Sequence, residues 1–335
     1  MKEILAVILA AGKGTRMKSD RAKVLHEVFY RPMLHHVLDA VTAAGIQDMA
    51  VIVGHQREEV ISSLSAYQVT PVLQEEQLGT GHAVLCGEKH CDRAELVMIL
   101  CGDTPLIRPE TLRAMIDAHL QSEATVTLMT TRLDDPFGYG RIITDTDGSI
   151  LEIVEQKDAT PEQRCITEIN AGIYLADREF LFQALKQVGT DNSQGEVYLT
   201  DIIGIARHQG KKVHTFLHPV AIDVLGVNSR VELAQAHQEL QMRRNRELML
   251  SGVTMYGPET ISIAPGIDVG RDTVIHPGVQ VTGRAEIGSG CIIHSGVMIH
   301  DAVLDDRAVI GAHAVLQNCR IEKSEHIPPL TLRVS

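Results

Sequence analysis

Apolar residues in the first two-thirds of the chain come in short runs that alternate with amphipathic stretches. The runs at 4–8, 49–53, 69–73 and 96–100 are rich in Ile, Leu and Val, which predicts strands buried on both faces of a sheet. Between them, 32–44, 57–64 and 110–121 carry apolar residues at helical spacing, with Thr104, Pro105 and Pro109 punctuating the approach to the last. β-branched residues return over 124–131. Segments 152–154 and 168–175 then read as strands of a mixed sheet, with Asp147 and Gly148 as a hairpin turn. The alternation is that of a parallel sheet covered by helices. Ligands in such folds sit beyond the carboxyl ends of the strands, so the residues after 4–8 and 96–100 should face one cleft.

The texture changes past residue 228. Positions 229–250 have helical periodicity and read as a connecting helix closing at Ser251 and Gly252. Beyond it an aliphatic residue recurs every six positions at Ile263, Val269, Ile275, Val281, Ile287, Ile293 and Ile299. A six-residue period of this kind predicts a parallel β-helix with three hexads to a coil. The register slips between Ile299 and Leu304 and resumes at Ile310 and Leu316. Segment 326–335, with Pro328 and Pro329, shows no further hexad, so about four coils are expected. The expected division is 1–228, 229–250 and 251–335.

Charge and composition narrow the functional classes. Lys and Arg total 31 against 43 Asp and Glu, a net charge of −12, which argues against a nucleic-acid surface. No stretch reaches the ~20 apolar residues of a membrane span, and no signal region precedes the first strand. Six cysteines lie without disulfide or metal spacing and read as buried thiols of a cytoplasmic protein. His276 and His294 are eighteen positions apart, so they should stack on adjacent coils, with His300 on a neighbouring face.

Candidate chemistry begins where the first strand breaks into Gly12, Lys13, Gly14, Thr15 and Arg16. Glycines let backbone N–H groups approach an anion, and Arg16 offers a planar fork for phosphate oxygens. Lys23 is a further cation within reach. The spacing fits neither a dinucleotide fingerprint, since Met17 takes the third glycine position, nor a Walker loop. Asp103, just after an apolar strand, is an oxygen ligand suited to a hard cation, or alternatively a helix cap.

Residues 9–16 with Lys23 resemble the signature of sugar-nucleotide pyrophosphorylases. The resemblance continues through 73–83, Gly102 and Asp103, 138–141, 153–155, 168–172 and 226–228. This ordered set is most similar to the N-terminal half of the bacterial bifunctional N-acetylglucosamine-1-phosphate uridylyltransferase/glucosamine-1-phosphate acetyltransferase family. The resemblance implies an α/β fold: a Rossmann-like nucleotidyltransferase domain with a mixed sheet, then a short left-handed parallel β-helix, assembled as a homotrimer. It implies that UTP and N-acetyl-α-D-glucosamine 1-phosphate become UDP-N-acetylglucosamine and pyrophosphate, for cell-envelope polysaccharides. Mg2+ would be held by Asp103 and Asn228, although Asn228 could equally cap the helix after it. Arg16 would bind the departing phosphates and Lys23 the reacting ones. Leu9, Ala10, Gly12, Gln74, Gly79 and Thr80 would line the uridine side, and Gly140, Glu155 and Asn170, with Thr200 in addition, the sugar side. No general base is required, because a sugar phosphate is already an anion.

Two departures stand out. The family commonly has an aromatic residue where this chain has Cys101, so a packing contact is missing and affinity should be tuned. The family's acetyltransferase coils extend past residue 335, which leads to the expectation of uridylyl transfer without acetyl transfer. The competing readings are a nucleotidyltransferase for another sugar phosphate, a CoA-dependent acyltransferase using the β-helix, and a non-catalytic scaffold.

Overall fold

A computed structural model of the chain describes residues 2–334. Two units emerge: one comprises residues up to Glu27 together with Arg31–Glu232, the other Val28–Tyr30 together with residues 233 onward.

In the first unit the strand order is Val213–Leu217, Val126–Arg132, Glu168–Asp177, Leu96–Cys101, Ile4–Ala10, Asp48–Val53, Thr70–Leu73. Ile4–Ala10 runs parallel to both its neighbours, with Val7 opposite Ala50 and Ile99. Glu168–Asp177 is antiparallel to the strands on either side of it, which makes the sheet mixed. Arg141–Thr144 and Ile150–Val154 form the expected hairpin, closed where Gly148 N–H donates to the Asp145 carbonyl. Successive side chains of a strand point to opposite faces, and both faces of the central strands are covered. Ala6, Ile8 and Met98 pack with Leu34, Leu38 and Val41 of helix Met33–Ala43 and Leu112 and Met115 of helix Pro109–Ser122. Val7, Ile99 and Ile52 pack on the other side with Val84, Leu181, Ile202 and Ile203. This double burial is why those strands read as unbroken apolar runs.

The helices Thr80–Cys86, Arg178–Leu185 and Asp201–His208, and the strand Val213–Leu217, lie outside the sequence reading.

The second unit is a left-handed parallel β-helix with faces of five, five and four strands. Its hexad aliphatics form the buried stack: Ile263 pairs with Val281 and Val281 with Ile299, while Ile275 pairs with Ile293. Small residues at the turns of the coil, among them Val279, Ala285, Cys291, Ala308 and Cys319, are buried with them. The coil then shortens from eighteen residues to seventeen, so that Ile287 pairs with Leu304 and Leu304 with Ile321. The missing residue falls at the same corner both times, between Ile299 and Leu304 and between Leu316 and Ile321. Residues 326–334 do continue the coil, contrary to the hexad reading. His326–Ile327 pairs with Val309–Ile310, and Leu332–Val334 with Val315–Gln317. The pattern was hidden because Arg333, paired to Glu325, takes the place of an aliphatic residue and because of the second lost residue. His276 and His294 do stack, with ring centroids 5.1 Å apart.

Helix Arg230–Leu250 spans the division between units, and its length from Leu233 belongs to the second. Its buried Gln241 and Asn245 lie one turn apart. Gln241 Nε2 donates to the carbonyls of Glu259 and Ile261, and Asn245 Nδ2 to those of Pro258 and Ile261. A first coil has no preceding strand to accept or supply hydrogen bonds, so these amides satisfy carbonyls that would otherwise be stranded.

Candidate active site

The loop after Ile4–Ala10 and the residues after Leu96–Cys101 open on one cavity of about 520 Å³ in the first unit. Leu9, Ala10, Gly12, Arg16, Lys23, Gln74, Gly79, Thr80, Asp103 and Asn228 all line it. The glycine loop is shaped by Gly14, at φ +58°, where a Cβ would lie 2.6 Å from Lys23 Cβ. Only glycine there lets the lysine side chain cross the loop.

The Lys23 ammonium pairs with the Asp103 carboxylate and donates to Asn228 Oδ1 at 2.6 Å. Arg16 Nη2 donates to the same amide oxygen at 2.8 Å. Asp103 caps no helix: Arg108 stands at the start of Pro109–Ser122. Asn228 is likewise free of capping duty. Ser229 and Glu232 satisfy one another across the first turn of Arg230–Leu250, Ser229 N–H and Asn228 N–H both donating to the Glu232 carboxylate and Glu232 N–H donating to Ser229 Oγ. Gly226 allows the close approach, since a Cβ there would stand 3.1 Å from Asp103 Oδ1. Two oxygen donors 125 positions apart therefore converge on a cationic group, an arrangement that also suits a hard metal ion.

The Gln74 side sits where residues 194–197 fold over the helix Thr80–Cys86. Gly81 N–H donates to the Val197 carbonyl at 2.8 Å and Val197 N–H to that of Leu78 at 2.8 Å. Thr80 Oγ1 accepts from Leu199 N–H. Gln194 and Glu196 of this segment stand on the cavity wall and were not among the expected site residues. Gln77 was also missed; its amide donates to the Ala11 carbonyl at 2.8 Å and braces the glycine loop.

The three remaining expected site residues do not line this cavity but gather together beside it. Asn170 N–H donates to the Gly140 carbonyl at 2.9 Å, and a Cβ on Gly140 would reach within 3.4 Å of Glu155 Oε1. Thr200 Oγ1 donates to Glu155 at 3.4 Å. Burial pushes the Glu155 carboxyl above its ordinary range, against the Thr200 hydrogen bond that lowers it. The link to the cavity is Cys101, which lines it and whose thiol faces the Gly172 carbonyl. Burial, reinforced by the Asp103 charge, raises that thiol to about 12. The expectation that every cysteine is buried fails: Cys165 is exposed, and Cys86 and Cys101 are half-buried. Among the described residues no group of three His, Cys, Asp or Glu is placed to hold a metal.

A strand-loop cavity with clustered cations and paired oxygen donors, followed by a hexapeptide β-helix, defines a nucleotidyltransferase joined to a repeat domain. Residues 6–248 match the MobA-like NTP transferase domain, and 266–301 the bacterial transferase hexapeptide (six repeats). The bifunctional protein GlmU of Desulfotalea psychrophila is 52% identical over 96% of this chain and 95% of its own length. That of Geobacter metallireducens is also 52% identical, over 88% of this chain, of which the match spans 62% of the relative. That of Exiguobacterium sp. is 44% identical over 98% of this chain and 72% of its own. A Bacillus anthracis chain assigned as a glucose-1-phosphate thymidylyltransferase shares the fold, with TM-score 0.57 and 21% identity over 70% of this chain and 94% of that one. The chain belongs to the bifunctional GlmU family. It is a nucleotidyltransferase of the class that makes UDP-N-acetylglucosamine by uridylyl transfer, a class with a divalent-cation requirement.

Proposed function

We propose that the first unit joins UTP to N-acetyl-α-D-glucosamine 1-phosphate and releases pyrophosphate, with Mg2+ as the divalent ion. The observation that carries the reading is the convergence of Lys23, Arg16, Asp103 and Asn228 on one wall of the cavity. A sugar phosphate oxygen attacks the α-phosphorus while the bond to the pyrophosphate oxygen breaks, and no proton need move. The barrier is the repulsion between two anions, which fixed positive charge in a partly dry site reduces. Lys23 is placed to sit between the reacting phosphates and Arg16 to hold the departing pair. Asp103 and Asn228 supply the oxygens for Mg2+, which when bound neutralises phosphate charge. Gln74, Gly79 and Thr80 take the base side. Gly140, Glu155 and Asn170 take the sugar, where a carboxylate and an amide suit hydroxyls and an N-acetyl group. A panel of nucleoside triphosphates against sugar 1-phosphates, scored by pyrophosphate release, tests this; preference for another sugar phosphate would overturn it.

The second unit serves as a trimer-forming domain in this reading. Its outward positions are Thr254, Val274, Ile292, Val309 and His326 on one face, Ser262, Gln280, Met298, Val315 and Leu332 on the next, and Asp268, Glu286, Val303 and Arg320 on the third. The neighbours Val274, Ile292 and Val309, and Met298, Val315 and Leu332, offer apolar area that suits three prisms packed about an axis. Light scattering that returns a monomer would refute the trimer. Among the described residues no helix is long and apolar enough to cross a membrane, and a cytoplasmic location agrees with the use of UTP.

A further inference from the structure

Gln74 follows the strand Thr70–Leu73 and lines the cavity although the residue is only 4% exposed. Its backbone N–H is committed to the Val53 carbonyl at 2.8 Å. The side-chain amide has two hydrogens, and both have takers. One faces the Gly79 carbonyl at 3.2 Å, the other His82 Nδ1 at 3.1 Å. A carbonyl can only accept, which settles which end of the amide is nitrogen, and Nδ1 must then present its lone pair, with the imidazole proton on Nε2. The amide oxygen has no donor among the described residues and is left to the cavity.

We infer that His82 is a positioning residue for choice of base: by accepting from Gln74, it holds the amide with its oxygen, not its nitrogen, toward the nucleotide. The inference rests on the reading of this end of the cavity as the base side, and it names the base class. An acceptor reads a ring N–H. Uracil and thymine carry one at N3, whereas cytosine carries a lone pair there and would set acceptor against acceptor. A buried polar group left facing the wrong partner is the strongest means a site has of rejecting a near-isostere. Without His82, one amide hydrogen loses its taker and only the Gly79 carbonyl still opposes a turn of the group that would present a donor to cytosine.

The test compares kcat/KM for UTP and CTP in the wild type, His82→Leu and His82→Asn. Leucine removes the acceptor, while asparagine places an oxygen where Nδ1 stood. His82→Leu is expected to lower the UTP-over-CTP ratio at least about tenfold, mainly through KM, and His82→Asn to restore it. An unchanged ratio in a folded His82→Leu, in an enzyme that does use UTP, overturns the role of His82 alone. A wild type that uses no uracil or thymine triphosphate overturns the base-side reading and the inference with it. Should His82→Leu not fold, the 15N shifts of the His82 ring in the wild type decide: a protonated Nδ1 overturns the inference and a bare one supports it.

Discussion

Lys23 and Asp103 meet as an ion pair whose other neighbour is Asn228, so one ammonium occupies the space between the carboxylate and amide oxygens proposed for the metal. Both side chains are largely shielded, with 12% and 19% of their surface exposed. Lysine reaches this point across the glycine loop on a flexible stem, so a cation held by the two oxygens would compete with the ammonium for them.

Asp103→Asn should cut turnover more than tenfold at saturating Mg2+ with the fold unchanged, because a charged oxygen is exchanged for a neutral one where charge neutralisation sets the rate. Steady-state pyrophosphate release and circular dichroism measure the two effects. Retention of over about a tenth of the rate, a difference of ~1.4 kcal/mol, would contradict the role. Lys23→Ala should lower kcat more than it weakens UTP binding, and Arg16→Ala should weaken UTP binding as well. Equal effects on binding alone would remove the distinction between them.

Gly79→Ala should both destabilise the first unit and weaken nucleotide binding. Gly79 has φ +109°, and a Cβ there would stand 2.6 Å from the Val197 carbonyl oxygen, so residues 194–197 must move off the cavity. Gly12→Ala is the control for stability, since nothing lies within 4 Å of its Cβ position. Thermal melts of the two variants should separate clearly, with Gly12→Ala at the wild-type midpoint.

Glu155→Gln should raise the KM for the sugar phosphate and, at neutral pH, raise thermal stability. Burial lifts the carboxyl above its usual range, so its contribution is most favourable at low pH and is lost as pH rises through the lifted value. Glutamine has no charge to bury. The variant's advantage in melting temperature should therefore be present at pH 8 and vanish below pH ~4. A pH-independent difference would show that the carboxyl is not desolvated.

His119, 2% exposed and 2.9 Å from Thr127 Oγ1, is held neutral by burial, its value lowered to about 4 from 6.5. Its neutral form supports the fold above the ordinary value, and that support is lost as pH falls toward 4. Urea unfolding of the wild type should show a loss on the order of 2 kcal/mol from this group between pH 7 and pH 4.5. His119→Asn, which keeps an oxygen toward Thr127 but cannot ionise, should lack that component.

Residues buried on both sheet faces were the legible part of the fold: 4–8, 49–53 and 96–100 announce themselves because each position faces apolar atoms. Elements that depend on distant partners did not. Thr80–Cys86 is only seven residues long and opens on two glycines, so it reads as a turn until Val197 is seen pinning it. Val213–Leu217 has His214 and Thr215 within it and takes its place by pairing with Val126–Arg132. Within the site, Arg16 and Lys23 stood out as cations beside a glycine loop in an acidic chain and Asp103 as a carboxylate just after an apolar strand, whereas Asn228 came only from the family resemblance. Gln77, Gln194 and Glu196 are ordinary polar loop residues, and only their position distinguishes them. His82 stood inside a recognised motif, yet its partner Gln74 could not be known without the geometry.

The corner that loses a residue twice has a consequence for how such a chain changes length. Asp301 and Asn318 adopt left-handed φ of 50° and 48° there, where the earlier coil has Gly283. Asp301 Oδ1 accepts from Arg284 N–H, tying the shortened turn to the one before it. Because the loss falls between faces, the aliphatic residues before and after it keep their inward direction, as Leu304 and Ile321 show. A residue dropped within a strand such as Ile292–Ile293 would instead turn the side chains that follow it to the other side of the wall. Single-codon gains and losses are thus tolerable along one edge of the prism and ruinous on its faces, so repeats can drift in length there while their interior stays in step.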